Sequence, residues 1–304
     1  MGLTLAVMGV VLGVTCVTVV VARPSARWIV RHYRYAQQVR ATVGSLGLLL
    51  VVSALFSILL PDGGEFSASV AAVTAIALGV SVLVASTLQR RPAMTLRPRR
   101  VLAIGAHPDD LELGCGASLV KLIDKGDEVR VLVMSRGGEG GEDEHRLQEA
   151  QRGGSYMGAA SVTVLDFPDT RFAEEQKGLV SAIEQAIREF SPDIILTHSR
   201  NDYHQDHSAV HHATMRAARR ERTILCYESP SATRHFSPVL FMDVAGYVTV
   251  KAAAIDVHAD QREKAYMTGR RAYGAALFRG DQARLDFAEG FEVVRMDADS
   301  MGRI

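Results

Sequence analysis

Three apolar runs without a charged side chain open the sequence, at 1–22, 41–60 and 66–88. Beyond residue 100 the pattern changes to short apolar runs that alternate with stretches of helical period. Each of the first three runs matches the roughly 20 residues needed to cross a bilayer. Buried core helices rarely come as three such runs in succession, so the pattern predicts about three transmembrane helices. A cleaved signal peptide would need a basic start, which the first run lacks.

The second part reads as alternating strands and helices. Residues 101–106 have the length and composition of a buried parallel strand, followed by a helix ending near Gly126. Further strands are predicted at 128–134, 162–167, 193–197, 224–227 and 239–244. Helices are predicted at 143–157, at 175–190 with Leu179, Ile183 and Ile187 four apart, and at 206–220; the segment from Tyr247 onward reads as largely helical. This order predicts an α/β fold, a Rossmann-like, mostly parallel sheet with helices on both faces. The expected division is a membrane anchor at 1–96 and one α/β domain at 97–304.

Charge sharpens the division. The net charge of zero hides an anchor third that carries ten Arg against Asp62 and Glu65, hence +8, and a remainder of 24 basic and 32 acidic side chains, hence −8. An acidic α/β part suggests no nucleic-acid surface. The arginines fall between the first and second apolar runs (Arg23, Arg27, Arg31, Arg34, Arg40) and after the third (Arg90, Arg91, Arg97, Arg99, Arg100), whereas the connection at 61–65 carries only acid. Positive loops face the cytoplasm. The expected localisation is therefore a multi-pass membrane protein with its α/β domain on the cytoplasmic side. Three cysteines without paired spacing fit a reducing compartment, and Cys115, between two glycines, reads as a packing residue.

The polar residues that interrupt the strand–helix pattern carry the candidate chemistry. His107-Pro108-Asp109-Asp110 follows the first strand, and Asn201 to His207 follows the strand at 193–197, so a parallel sheet brings both to its carboxyl edge, where ligands bind in such folds. Two adjacent carboxylates on one turn suggest a cation between them, although a pair of helix N-caps is the plainer alternative. His107, Asp110 and His207 form a candidate two-imidazole, one-carboxylate metal site with an open position for water, as in catalytic zinc; Fe2+ also suits that set. Asp109 is then placed as general base. His204 is a candidate for stabilising the oxyanion or the leaving amine, the alternatives being a fourth ligand or a surface loop residue. Asp206 is a candidate for orienting an imidazole. His198 either lines the pocket or is satisfied by backbone, and His211 and His212 read as ordinary helix residues. The glycine-rich stretch at 135–142 lacks the spacing of a phosphate-binding loop and reads as a substrate loop. Arg146 and Glu149, three apart on a predicted helix, read by themselves as a surface ion pair, and Arg171 could meet an anionic group.

Two stretches, Ala106-His107-Pro108-Asp109-Asp110-Leu111-Glu112 with Gly114-Cys115-Gly116, and Asn201-Asp202-Tyr203-His204-Gln205-Asp206-His207, resemble the two motifs of the LmbE-like, PIG-L family of zinc-dependent N-deacetylases. Arg146-Leu147-Gln148-Glu149-Ala150, Phe167-Pro168-Asp169 and Ala288-Glu289-Gly290-Phe291 extend the resemblance over about 100–295. It implies zinc on His107, Asp110 and His207, Asp109 as base, His204 stabilising the transition state, Arg146 and Glu149 ordering the glycine-rich stretch or binding sugar hydroxyls, and a deacetylase identity for 97–304. It also implies removal of acetate from an N-acetylglucosamine-containing small molecule or glycolipid. Another amide, or a silent binding domain, are the alternatives. Gln205 and Ala117 depart from the family's usual proline and glycine, at positions without metal or proton-transfer chemistry. The connection at 89–100 extends no further than about 40 Å, so the domain stays near the bilayer and a lipid-linked substrate is expected.

Overall fold

The computed structural model describes residues 2–33, 35–59, 64–90 and 97–297. The chain separates into two compact units, Met1–Arg91 and Pro92–Ile304. The expected boundary at 96/97, Arg34, Arg91 and Asp62 lie at or within positions outside the described residues.

In the first unit, α1 (Gly2–Val21) is followed by α2 (Arg23–His32), α3 (Ala36–Leu59) and α4 (Gly64–Thr87). By length and composition, α3 and the 69–87 part of α4 can each cross a membrane, and the α1–α2 pair is a third span if the two are counted together across their 72° bend. The bend falls at Ala22, where Pro24 occupies the first turn of the next helix and cannot continue the hydrogen-bond ladder of the one before. Past it the pattern turns amphipathic: Arg23, Arg27 and Arg31 accompany an exposed Trp28 that stacks on His32. The first apolar run therefore ends in a basic, Trp-bearing helix of the kind that lies in a membrane interface. Gly13 and Gly47 let α1 and α3 approach closely, because a Cβ at Gly13 would lie 2.5 Å from the Gly47 carbonyl oxygen. Many outward side chains of these helices, among them Val52, Phe56, Ile76 and Leu83, are apolar and exposed.

The second unit is built on seven strands: β1 (Arg100–Gly105), β2 (Glu128–Val133), β3 (Ser161–Val164), β4 (Ile194–His198), β5 (Ile224–Tyr227), β6 (Leu240–Asp243) and β7 (Ala288–Arg295). Their order is β3-β2-β1-β4-β5-β7-β6. The first five are parallel, and β7 runs antiparallel to both β5 and β6. Helices α5 (Asp110–Asp124), α6 (Asp143–Met157), α7 (Gln176–Phe190), α8 (Gln205–Ala217), α9 (Val248–Ile255) and α10 (Gly269–Ala283) complete it. The period of two in β1 sorts its buried side chains between the faces: Val101 and Ala103 pack with Leu111, Leu119 and Met157, while Leu102 and Ile104 pack with Leu179, Ile183 and Val210. The apolar stripe Leu179, Ile183, Ile187 is the buried face of α7, as its spacing predicts.

The mostly parallel α/β expectation holds, and one element corrects it. The segment after Tyr247 is not all helical, because 288–295 forms β7 and inserts between β5 and β6. Its two glutamates make the stretch look solvated, yet each has partners remote in sequence. Glu289 receives the backbone N–H of Ala117 and Ser118 and the Lys251 ammonium. Glu292 receives Ser199, Asn201 and the Ser237 N–H.

Gly114 of α5 lies against the fully buried Tyr227 of β5, and an added Cβ would sit 2.3 Å from the Tyr227 ring. Gly114→Ala should lower stability by about 1–3 kcal/mol through overpacking. Gly274→Ala, inside α10 with nothing within 4 Å of the new methyl, should raise it by up to about 1 kcal/mol. Thermal unfolding of the full chain in detergent measures both; equal melting temperatures for the two variants would refute this packing.

Candidate metal centre

The sheet order makes the site. Chain connections leave β1 toward β2 on one side and return through α7 to β4 on the other, so the loops after β1 and β4 diverge at a switch point. Pro108 disfavours helical geometry at His107, and Asp109 takes φ 99°, in the left-handed region that a residue with a Cβ rarely adopts. Asp109 holds the N-cap position of α5, but its side chain caps nothing, so the plain capping alternative fails for it. Its carboxylate instead lies 3.3 Å from Arg146.

Asp110 is the hub. Its Oδ2 accepts the backbone N–H of Ala106 (2.9 Å) and His107 (2.7 Å) and lies 3.1 Å from His198 Nε2, while Oδ1 is 3.2 Å from His207 Nε2. The far nitrogen of each candidate ligand imidazole meets carboxylate. His107 Nε2 stands 2.9 Å from Asp169 Oδ1 and 3.1 Å from Asp206 Oδ2, and His207 Nδ1 stands 2.9 Å from Asp202 Oδ2. Those contacts favour the proton on His107 Nε2 and on His207 Nδ1, so that in the neutral ring the other nitrogen is the lone-pair donor a metal requires. Asp206, fully buried, is fixed by the N–H groups of Thr170 and Phe172. Asp202 is fixed by the hydroxyls of Ser229 and Ser231. His204 is the N-cap of α8, and its Nδ1 accepts the Asp206 N–H at 3.3 Å. Its ring stacks on His207 at 4.5 Å and stands 4.9 Å from His107.

Asp110 pairs with each of the other two expected ligands, at 3.7 Å from His107 Nδ1 and 3.2 Å from His207 Nε2, but His107, Asp110 and His207 together are not one of the compact triads. The triads whose donor atoms all lie within 4.8 Å of one another, among the described residues, are His107/His204/His207, Asp110/His198/His207 and His107/Asp169/Asp206. They overlap at His107 and His207. The electrostatics ask for positive charge here. Burial opposes protonation of His107, but Asp169 and Asp206 carry its pKa up to about 9; burial likewise opposes His207, and Asp110 and Asp202 raise it to about 10. Burial and the neighbouring His207 hold His198 down at about 4, a neutral ring, and lower His204 for the same reasons. Burial and the charge of Asp110 lift Asp109 to about 6. Two imidazoles and a carboxylate, with Asp169, Asp202 and Asp206 behind the imidazoles, make surroundings whose charge fits a divalent cation.

A cavity of about 300 Å³ opens on these groups, bordered also by Glu139 and Gly140 of the glycine-rich stretch and by Lys264 and Tyr266. Arg146 is buried, donates to the carbonyls of Gly137 and Pro108, which ties the glycine-rich stretch to the acidic turn, and also borders the cavity. Glu149 accepts the Asp260 N–H instead of pairing on its own helix. Arg171 is exposed and does not border the cavity, His211 binds the His198 carbonyl, and Cys115 packs in the core. The sequence reading assigned no role to Asp202, Ser229 or Ser231. The loop after β5 lies on the same carboxyl edge, which was the available signal for the two serines.

A family profile described as "PIG-L: GlcNAc-PI de-N-acetylase" matches residues 102–218. The chain is 41% identical over 167 residues to the uncharacterized deacetylase YaiS of Escherichia coli (strain K12), covering 52% of this chain and 89% of that protein. It is 28% identical to the diacetylchitobiose deacetylase of Thermococcus kodakarensis (strain ATCC BAA-918 / JCM 12380 / KOD1), covering 64% and 83%. Among solved structures it resembles GalB, the 4-carboxy-2-hydroxymuconate hydratase from Pseudomonas putida KT2440, with TM-score 0.57, 22% identity, and coverage of 66% of this chain and 98% of that one. The last likeness is one of fold. A hydratase on this fold means that the reaction has to be argued from the site.

If Asp202 holds His207 for a metal, Asp202→Asn should weaken zinc affinity about 10–100-fold while leaving the fold intact. Competition with a chelator of known affinity measures this; unchanged affinity would remove Asp202 from the centre.

Proposed function

Because the chain belongs to the PIG-L, LmbE-like family, we propose that it is a membrane-anchored, metal-dependent N-deacetylase that removes acetate from an N-acetylglucosamine conjugate. The observation that carries this reading is the buried set His107, Asp110 and His207 beside an uncapping Asp109 and a neutral His204, all on one cavity. His107 Nδ1, Asp110 Oδ1 and His207 Nε2 would hold the ion, zinc being the ordinary occupant of such a set and Fe2+ the alternative. Bound there, zinc supplies a Lewis acid that polarises the amide carbonyl and acidifies water.

The chain's own groups do the rest. Asp109, lifted by burial and by Asp110 to about 6, is matched to accept a proton from water near neutral pH as that water adds to the amide carbon. Arg146 keeps the Asp109 carboxylate aimed. His204, whose Nδ1 is occupied by the Asp206 N–H, carries its proton on Nε2 when neutral and can donate to the developing oxyanion or to the departing amine. The C–N bond then breaks, the proton taken up by Asp109 passes to the amine nitrogen, and acetate and a free amino sugar leave. Asp206 and Asp202 hold the two imidazoles throughout and are positioning residues.

The amino-sugar substrate is supported by the family description and by the diacetylchitobiose deacetylase among the relatives. The anchor reading is supported by the apolar helices, and a cytoplasmic side for the Pro92–Ile304 unit is supported by the arginine placement, whether α1 crosses or not.

His107→Ala, Asp110→Ala and His207→Ala should each lose the bound ion, whereas Asp109→Ala should keep it and lose turnover by at least about 100-fold. Elemental analysis with amine release from a panel of N-acetylglucosaminides gives both readouts; full metal content in all three ligand variants would defeat the assignment. For topology, a reporter active only in the cytoplasm should be on when fused after residue 304 and off when inserted at 61–65. The reverse pattern would place the catalytic unit outside.

A further inference from the structure

Next to the metal centre lies a second and larger cavity, of about 930 Å³, and the two share Leu113, Pro230 and Tyr266 as a common wall. The inner cavity, at about 300 Å³, is at the small end of the range for ligand sites and has room for one sugar ring with its acetamide. The outer one is at the large end. The cavities adjoin at these three residues, so the group joined to a sugar held in the inner one has the outer one beside it.

The charges of that cavity do not balance. Lys251 is neutralised by Glu289 at 2.6 Å, and Arg279 makes a two-pronged pair with Glu228 at 2.6 and 2.8 Å. These are the two acids among the residues that border the cavity, and both are taken. Arg270 and Arg271 remain, exposed on the first turn of α10, with no acid on the wall to offset them. Small residues, Ala272, Gly274 and Ala275 among them, line the wall beside the arginines and leave the space open.

We propose that this cavity is a subsite for the group joined to the amino sugar, and that it selects an oxyanion, phosphate or carboxylate, through Arg270 and Arg271. The proposal rests on the amino-sugar reading above for the occupant of the inner cavity. Guanidinium groups present a fork of donors that matches such oxygens, and a neutral aglycone would make no use of two like charges on one wall.

The test uses matched conjugates of N-acetylglucosamine: joined to glucose or to glucose 6-phosphate in solution, and carried on an uncharged or a phosphate-linked lipid in phosphatidylcholine vesicles. Each is offered to the full chain and to R270E/R271E, whose two altered side chains are exposed. The wild type should prefer the phosphate-bearing member in at least one arm, and the acid-over-neutral ratio of kcat/KM should fall at least about tenfold in R270E/R271E. The arm that shows the preference identifies a soluble or a lipid carrier. Equal ratios for the two proteins in both arms overturn the subsite. If neither protein releases acetate from any conjugate, the amino-sugar reading has failed, and titration with glycerol 3-phosphate decides the subsite alone. Binding weaker by at least about tenfold in R270E/R271E supports it, and equal binding overturns it.

Discussion

A buried carboxylate that needs a positive partner governs this molecule. Asp110 is 4% exposed, and taking a carboxylate out of water is costly unless charge and hydrogen bonds replace the solvent. Two backbone amides from the end of β1 and the imidazoles of His198 and His207 supply them. The opposing groups point the same way, because Asp169 and Asp206 face His107 and Asp202 faces His207. Carboxylate behind each imidazole and carboxylate between them is the arrangement that a bound divalent cation stabilises.

The fold serves that requirement. Only where β1 and β4 are neighbours, with their connections leaving in opposite directions, do the two loops that carry Asp110 and His207 meet. Buried apolar layers on both faces hold β1 and β4 in place. The left-handed backbone of Asp109 is then kept by the Arg146 guanidinium, which binds its carboxylate and the preceding carbonyl at once. Strain in one residue at the site is thereby balanced by a contact from a different helix.

How far the sequence disclosed this depends on how local each feature is. The apolar stripe of α7, the β1 run and the charge-free helices rest on spacing within a few residues and could be read directly. Both loops of the candidate centre were legible because a strand–helix pattern fixes which end of a parallel strand a loop occupies. β7 was not, since its glutamates are satisfied by Lys251, Ser199 and Asn201, which only the folded chain brings near. Asp202 and the serines behind it were missed for the same reason: their role lies in a contact with His207 across the edge of the sheet. Arg146 was noticed and its backbone partners were not, because contacts to the Gly137 and Pro108 carbonyls arise only when the loops fold against α6.

The central claim is that one ion is held where the loops after β1 and β4 converge. Anomalous diffraction at the zinc edge, from crystals of protein purified without added metal and then loaded with one equivalent of zinc, tests it most directly. The account predicts a single peak within coordination distance, about 2.0–2.2 Å, of His107, Asp110 and His207. A peak held by His107, Asp169 and Asp206 without His207, or no ordered peak at this edge of the sheet, would contradict it.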